Sequence, residues 1–302
     1  MSYHSVVCIK QVPDTKRVTG NAMKPDGTVN RAALPAIFNP DDLHALEEAL
    51  RVRDAHGGTV TVLTMGLPAA SAILRESLCL GADRAVLVTD RRAAASDTLA
   101  TSYILSCALR RLEPDLVFCG RQAIDGDTAQ TGPQIAEKLG FTLVTYLEEL
   151  SLEDGAAIVR RNLGNGTERV RARLPALFTV VESANHPRPP AARRIFRFKK
   201  ALAPAEVEKA VEAAMPGASA EARAAEAASR CDALREKGLL IEQWNLDGIG
   251  ADLANCGAAG SPTRVHRIES VVLAGGDYKE FPPDAAGVGE LVAELVASHT
   301  LG

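Results

Sequence analysis

PDLVFCGRQAIDGDTAQTGPQIAEKLG, residues 114–140, joins two kinds of segment through a polar loop. PDLVFCG is a short apolar run of strand type, and QIAEKLG has the spacing of a helix. Between them, GRQAIDGDTAQTGP (120–133) offers almost nothing to bury. The same alternation precedes it. SVVCI (5–9), TVTVLTMG (59–66) and RAVLVTD (84–90) are each followed by a longer segment of helical period. DDLHALEEALRVR (41–53) sets Leu43, Leu46 and Leu50 on one face, and Ile73, Leu74 and Leu78 repeat the pattern. Ser96 and Asp97 are suited to cap a helix running through Leu105 and Leu109. Near-continuous apolar strands alternating with helices predict an α/β fold whose parallel sheet is covered on both faces.

Around residue 147 the period changes. The segment 147–183 carries turn signals at Asp154-Gly155 and Gly164-Asn165-Gly166 between alternating runs, which predicts an antiparallel edge meander. GNAMKPDGTVN (20–30) reads as a hairpin turning at Asp26-Gly27. NHPRPPAARRIFRFKK (185–200) holds six basic residues, Arg188 to Lys200. Residues 203–238 are rich in Ala, Glu, Arg and Lys, and MPGAS (215–219) divides them into two helical segments. The remainder is loop-rich and ends in a short amphipathic helix through Val288, Leu291, Val292 and Leu295. The second half lacks apolar runs for a core of its own, so an extended C-terminal arm is expected.

The composition narrows the function. Hydrophobic residues make up 46% and charged residues 24% of the 302, ordinary for a globular chain, and aromatics are only 4%. A net charge of −4 gives no field favouring nucleic acid. No run approaches the ~20 apolar residues of a membrane span. MSYHSVVCIK lacks a basic leader before its apolar run, so it does not read as a signal peptide. The six cysteines form no CxxC pair and several lie in apolar runs, as buried thiols of a reducing, cytoplasmic setting do. The histidines have no metal-ligand spacing.

Ligands of doubly wound sheets sit beyond the carboxyl ends of the strands. Lys10 to Asp14, Met65 to Pro68 and the 120–133 loop should converge there. Backbone N–H groups at a helix start, with the Thr128 and Thr131 hydroxyls, make a phosphate cradle. An Asx turn and a capping box from Thr131 to Gln134 account for the same residues. Asn39-Pro40-Asp41-Asp42 has the same duality, as a helix start or a ligand contact. Gly164-Asn165-Gly166 lacks the last glycine of a dinucleotide fingerprint and is a turn. Ala274-Gly275-Gly276-Asp277 lacks the serines of a pyrophosphatase loop, which argues against an adenylating enzyme.

Val7-Cys8-Ile9-Lys10-Gln11-Val12-Pro13-Asp14-Thr15, Asn39 to Asp42, Thr64-Met65-Gly66 and Gly120 through Pro133 resemble the electron transfer flavoprotein β subunit in order and spacing. The resemblance covers about residues 1–200 and resumes at Cys256-Gly257 and Gly260 to Val265. It implies a Rossmann-like parallel sheet with helices on both faces and a heterodimer with an α subunit that carries the redox FAD. It implies an adenine nucleotide in the β crevice, with Cys8, Asn39 and Met65 around the adenosine. Ala123, Gly126, Asp127, Thr128, Ala129, Gln130 and Thr131 would hold ribose and phosphate, and Asp42, Gly120 and Asp125 belong to the same cofactor site. The AIDGDTAQ loop and the VPDT segment resemble members that hold FAD rather than AMP in that crevice and bifurcate electrons. These include members linked to nitrogen fixation and to anaerobic acyl-CoA metabolism. For them the resemblance implies hydride transfer from NADH to the β-held FAD. One electron then passes through the α subunit to a dehydrogenase or reductase and the other to ferredoxin or flavodoxin, with no side chain acting as acid or base.

Three units are expected: residues 1–200 as the nucleotide-binding α/β domain, 201–240 as a helical insertion, and 241–302 as an arm packing on the partner subunit. The position matching the family's docking leucine falls near Ala192, where Ile195 or Phe196 would have to replace it. The 203–238 segment exceeds the usual family length, as a docking element or a solvated hairpin. A non-redox nucleotide sensor or scaffold on the same fold is the competing reading.

Overall fold

Strands without a polar break are buried on both faces, and here they form the centre of the molecule. The computed structural model describes residues 2–14, 34–263, 279–298 and 300–301. The first half contains β1 (Tyr3–Cys8), β2 (Gln11–Pro13), β3 (Ala36–Phe38), α1 (Pro40–His56), β4 (Gly58–Met65), α2 (Ser71–Leu80), β5 (Arg84–Val88), α3 (Thr98–Leu112), β6 (Leu116–Gly120) and α4 (Thr131–Leu139). The second contains β7 (Thr142–Glu153), β8 (Ala156–Asn162), β9 (Thr167–Arg173), β10 (Ala176–Val180), α5 (Ala192–Phe198), α6 (Pro204–Ala214), α7 (Ala220–Glu236), β11 (Glu242–Trp244) and α8 (Ala285–Ala297).

The main sheet has nine strands in the order β11-β5-β4-β1-β6-β10-β7-β8-β9. Pairings from β11 to β7 are parallel. β7, β8 and β9 pair antiparallel and form the expected meander, turning at Asp154-Gly155 and at Gly164 to Gly166. From β1 the chain builds outward through β4 and β5, then returns to place β6 on the other side of β1. The strand order therefore reverses between β1 and β6, and Cys8 pairs with Cys119 at their carboxyl ends. β2 and β3 form a small antiparallel pair. The hairpin expected at 20–30 lies outside the described residues.

Alternation along the strands divides the core into two layers. Leu116 and Phe118 of β6 point toward α1 and α2, where Leu46, Leu50 and Leu74 are buried. Val117 and Cys119 point the other way, toward Ile104 and Leu109 of α3 and Ile135 of α4. This two-sided burial is what the apolar runs predicted.

The basic run of 188–200 is partly neutralised by the domain itself. Arg188 bonds Glu47 and Asp54 on α1, and Arg194 donates to the carbonyls of Leu78 and Ala82 at the end of α2 and just beyond it. α6 and α7 form a hairpin around Val207, Val211 and Ala227, entered and left through the bridged pair Leu202 and Leu240. β11 has no counterpart among the expected strands. Its three residues are too few to show a period, yet they extend the sheet beside β5. Arg84 pairs with Glu242, and the Arg84 and Arg111 guanidiniums lie over the Trp244 ring. α8 forms where the amphipathic pattern placed it and leaves Val288, Val292 and Val296 about half exposed. Among the described residues, no helix is long and apolar enough to cross a membrane, and no cluster of His, Cys, Asp or Glu could hold a metal ion.

Candidate functional site

At the reversal of strand order, the carboxyl ends of β1, β4 and β6, the start of α3 and the 121–130 loop enclose a crevice of about 550 Å³. That volume lies within the ~300–1,000 Å³ typical of small-molecule sites. Cys8, Ile9 and Lys10 come from the end of β1, Met65 from β4, and Cys119 and Gly120 from β6. The remaining wall is Asp42 of α1, the loop, and the starts of α3 and α4.

The start of α1 fastens this wall from behind. Asn39 is fully buried and makes no helix cap; its side chain donates to the Gln122 carbonyl at 2.9 Å and accepts from the Ile124 N–H at 3.1 Å. The Asp42 carboxylate accepts from the N–H groups of Lys10, at 2.8 Å, and Gly120, at 3.1 Å. One side chain thereby ties the ends of the two strands that flank the reversal. Burial pushes the Asp42 carboxyl up to about 7, against the opposing pull of its hydrogen bonds from Asn39, Lys10 and Gly120. A Cβ on Gly120 would lie 2.4 Å from Asp42 Oδ1 and 2.7 Å from the Asp41 backbone. Only glycine allows that approach.

The loop ends on α4 without a cap. Thr131 is the first helical residue, and no side chain among the described residues caps the helix. The capping box from Thr131 to Gln134 is therefore not formed. The first N–H groups of a helix have no intrahelical partner. Here Gln130, Thr131 and Gly132 line the crevice, so the positive end of α4 opens into it. Asp127 and Ala129 stand in the left-handed region, at φ of 49° and 52°. Such backbone costs roughly 1–2 kcal/mol at a non-glycine residue and persists where its surroundings impose it. Here the Asp127 carboxylate accepts from Gln122 Nε2, and Gln130 Oε1 accepts from the Thr98 hydroxyl of α3.

Of the residues expected from sequence, Cys8, Asp42, Met65, Gly120, Ala123, Gly126, Asp127, Thr128, Ala129, Gln130 and Thr131 line this one crevice. Asn39 lies behind it, and Asp125 is held by both carboxylate oxygens to Lys10 Nζ, at 2.7 and 2.8 Å. The wall from α3 was missed by sequence reasoning. Ser96, Asp97, Thr98 and Thr101 face the crevice, and Asp97 also caps α3 by accepting from the Ala100 N–H. Burial works to raise the Asp97 carboxyl, but backbone donors at Ala100, Thr263 and Leu99 outweigh it and hold the group below the usual range. A signal for this wall was present: the capped start of the helix that follows an apolar strand belongs at the carboxyl edge. Lys10 and Arg121 stand at the rim, Lys10 paired with Asp125 and Arg121 Nε 3.6 Å from Asp41 Oδ2.

This donor set suits an anionic nucleotide. An uncapped helix start and threonines line the space, Lys10 and Arg121 stand at its rim paired with Asp125 and Asp41, and Asp42 and Asp97 are engaged by backbone N–H groups. The chain matches the electron transfer flavoprotein domain over residues 26–229. It is 37% identical to the electron transfer flavoprotein subunit beta of Clostridium acetobutylicum over 97% of this chain and 98% of that one. Protein FixA of Azorhizobium caulinodans is 42% identical over 95% of this chain and 93% of its own. The caffeyl-CoA reductase-Etf complex subunit CarD of Acetobacterium woodii is 37% identical over 98% and 94%. The architecture, the matched domain and these full-length likenesses agree, and the chain belongs to the electron transfer flavoprotein family, among its β subunits.

Proposed function

We propose that the chain works in electron transfer as the β partner of a heterodimer and holds FAD in the crevice at the strand reversal, in a complex of the bifurcating type. The observation that carries this is the uncapped start of α4, opening with Thr128 and Thr131 onto one nucleotide-sized space. The loop and α4 would bind the diphosphate through backbone donors, with Arg121 and Lys10 adding charge. Cys8 and Met65 would line the adenosine side, and Asn39 and Asp42 would keep the loop and strand ends in place. FAD, when bound, supplies the redox chemistry; the protein contributes position and electrostatics. The Cys119 thiol on the crevice floor is no base or nucleophile. The Cys8 side chain bonded to Cys119, together with burial, raises the Cys119 thiol well above its ordinary range.

The relative named as a subunit of a caffeyl-CoA reductase-Etf complex supports a reading with an α subunit and a CoA-ester reductase or similar dehydrogenase as partners. NADH as donor and ferredoxin or flavodoxin as second acceptor belong to the same reading. AMP in the crevice is the simpler alternative, because the donors at α4 serve one phosphate as well as two. The test is a nucleotide count on the complex purified with its α subunit. Two FAD and no AMP per heterodimer are expected. One FAD with one AMP would make the chain the structural half of a simple carrier. A stable, colourless chain without an α partner would favour the nucleotide sensor instead.

A further inference from the structure

The segment Cys256–Thr263 carries no expected ligand contact, yet it is bonded to the wall of the crevice. Gly257 N–H donates to Ser96 Oγ at 3.1 Å. Asp97 N–H donates to Ser261 Oγ at 2.8 Å, and Ser261 Oγ in turn lies 2.7 Å from the Gly257 carbonyl. Thr263 N–H donates to Asp97 Oδ2 at 3.0 Å, while Asp97 Oδ1 caps α3. The fit is close. A Cβ on Gly257, which sits at φ +57°, would fall 2.2 Å from the Arg92 carbonyl, and Ser261 is only 7% exposed. Asp97 thus holds two structures with one carboxylate: the first turn of α3, which lines the crevice, and the backbone of the C-terminal segment.

We infer that Ser261 and Asp97 form a clasp through which nucleotide binding and seating of the C-terminal segment stabilise each other. They are positioning residues: they set the α3 wall rather than touch the reacting group. The inference rests on the nucleotide reading of the crevice. Each ligand of a coupled pair raises the affinity for the other by the same factor, so occupancy of the crevice must tighten the 256–263 segment if the segment shapes the wall.

The test is amide hydrogen exchange on the nucleotide-stripped full chain, with and without saturating ADP, together with ADP binding measured by calorimetry. In the unaltered chain ADP should slow exchange both in the 121–131 loop and at Gly257 and Thr263. Asp97→Asn keeps an oxygen for the α3 cap but turns the acceptor of the Thr263 N–H into a donor. Ser261→Ala removes the acceptor of the Asp97 N–H. Each should weaken ADP binding about tenfold, the loss of one charge-assisted or buried hydrogen bond, and abolish the ADP-dependent protection at 256–263. A general loss of stability would lower protection with and without ADP, leave their difference unchanged and so overturn the clasp. Protection of the loop with no change at 256–263 in the unaltered chain would also overturn it and leave the nucleotide reading standing. If Ser261→Ala does not fold, Asp97→Asn and the unaltered chain still decide the matter. Absence of ADP binding and of loop protection would overturn both.

Discussion

Asp42 is where the chemistry of one side chain bears most on the site. A carboxyl titrating at about 7 binds a proton in the native state that it gives up near ~4 in the unfolded chain. Between those values the native state holds more protons, so this group makes stability fall as pH rises from about 4 to about 7. A bound diphosphate, being negative, favours the protonated form further. Nucleotide affinity should therefore decline as pH rises from 6 to 8, on the order of threefold to tenfold, because a ligand that displaces the carboxyl's titration by about one pH unit gains about tenfold in affinity for the protonated form. Calorimetry with FAD, whose diphosphate does not titrate in that range, measures the decline. Asp42→Asn should flatten the profile. It also turns one oxygen into a donor facing the Lys10 or Gly120 N–H, and should lower stability by about 1–3 kcal/mol in urea. A variant as pH-dependent as the parent would show that another group titrates.

At the scale of elements, the crevice exists because α1 and α4 approach the strand ends closely, and small residues permit both approaches. Gly120→Ala drives a methyl into Asp42 Oδ1 and the Asp41 backbone, neither of which can retreat without losing the clamp on β1 and β6. A cost of about 1–3 kcal/mol or more is expected, read as a lower urea midpoint, with loss of nucleotide binding. Gly132 serves α4 in the same way, since a Cβ there would meet the Thr179 methyl at 3.0 Å. Thr131→Val separates packing from chemistry. It keeps the shape and removes a hydroxyl at the open helix end, so nucleotide affinity should drop about tenfold while unliganded stability moves by less than about 0.5 kcal/mol. Equal affinity for both proteins would mean that the phosphate lies elsewhere in the crevice. The strands and their helices were legible because Leu46, Leu50, Val117 and Phe118 follow the periods of two-sided burial. The inward-facing loop was legible from Gly126 to Thr131. Asn39 and Asp42 were legible only as a helix start, because bonds to backbone 85 and 78 residues away leave no trace in local pattern. The start of α3 was legible as a capped helix, but its place in the site was not, since it takes the strand order to bring Asp97 and Thr128 to one crevice.

At the scale of the whole molecule, the second half carries exposed features of its own outside the crevice. Phe196 is 69% exposed with Lys199 stacked on it, and Arg193 and Arg197 stand beside it on α5. Composition left the α6–α7 hairpin open as a docking element or a solvated one. Only Val207, Val211 and Ala227 are buried within it, and its two ends meet at the Leu202 and Leu240 bridge. That narrow neck makes the hairpin separable. It is fastened to the body by Arg75, which donates to Glu206 at 2.7 Å and, beside the neck, to the Ala201 carbonyl at 2.7 Å, and by the Ala205 N–H, which donates to Gln243 Oε1 at 3.2 Å. Replacing 204–237 with a short glycine linker leaves Ala201 in place but strands the Arg75 charge, so stability should fall by about 1 kcal/mol. Because none of its residues lines the crevice, nucleotide affinity should stay within about twofold, the tolerance for independent sites. Calorimetry on the excised chain reads the affinity, and urea unfolding reads the stability. A tenfold loss of affinity would make the hairpin part of the nucleotide site. Unchanged affinity with loss of the α subunit on co-purification would assign it to the heterodimer interface, and retention of both would leave it a solvated appendage held by its neck and the Arg75 anchor.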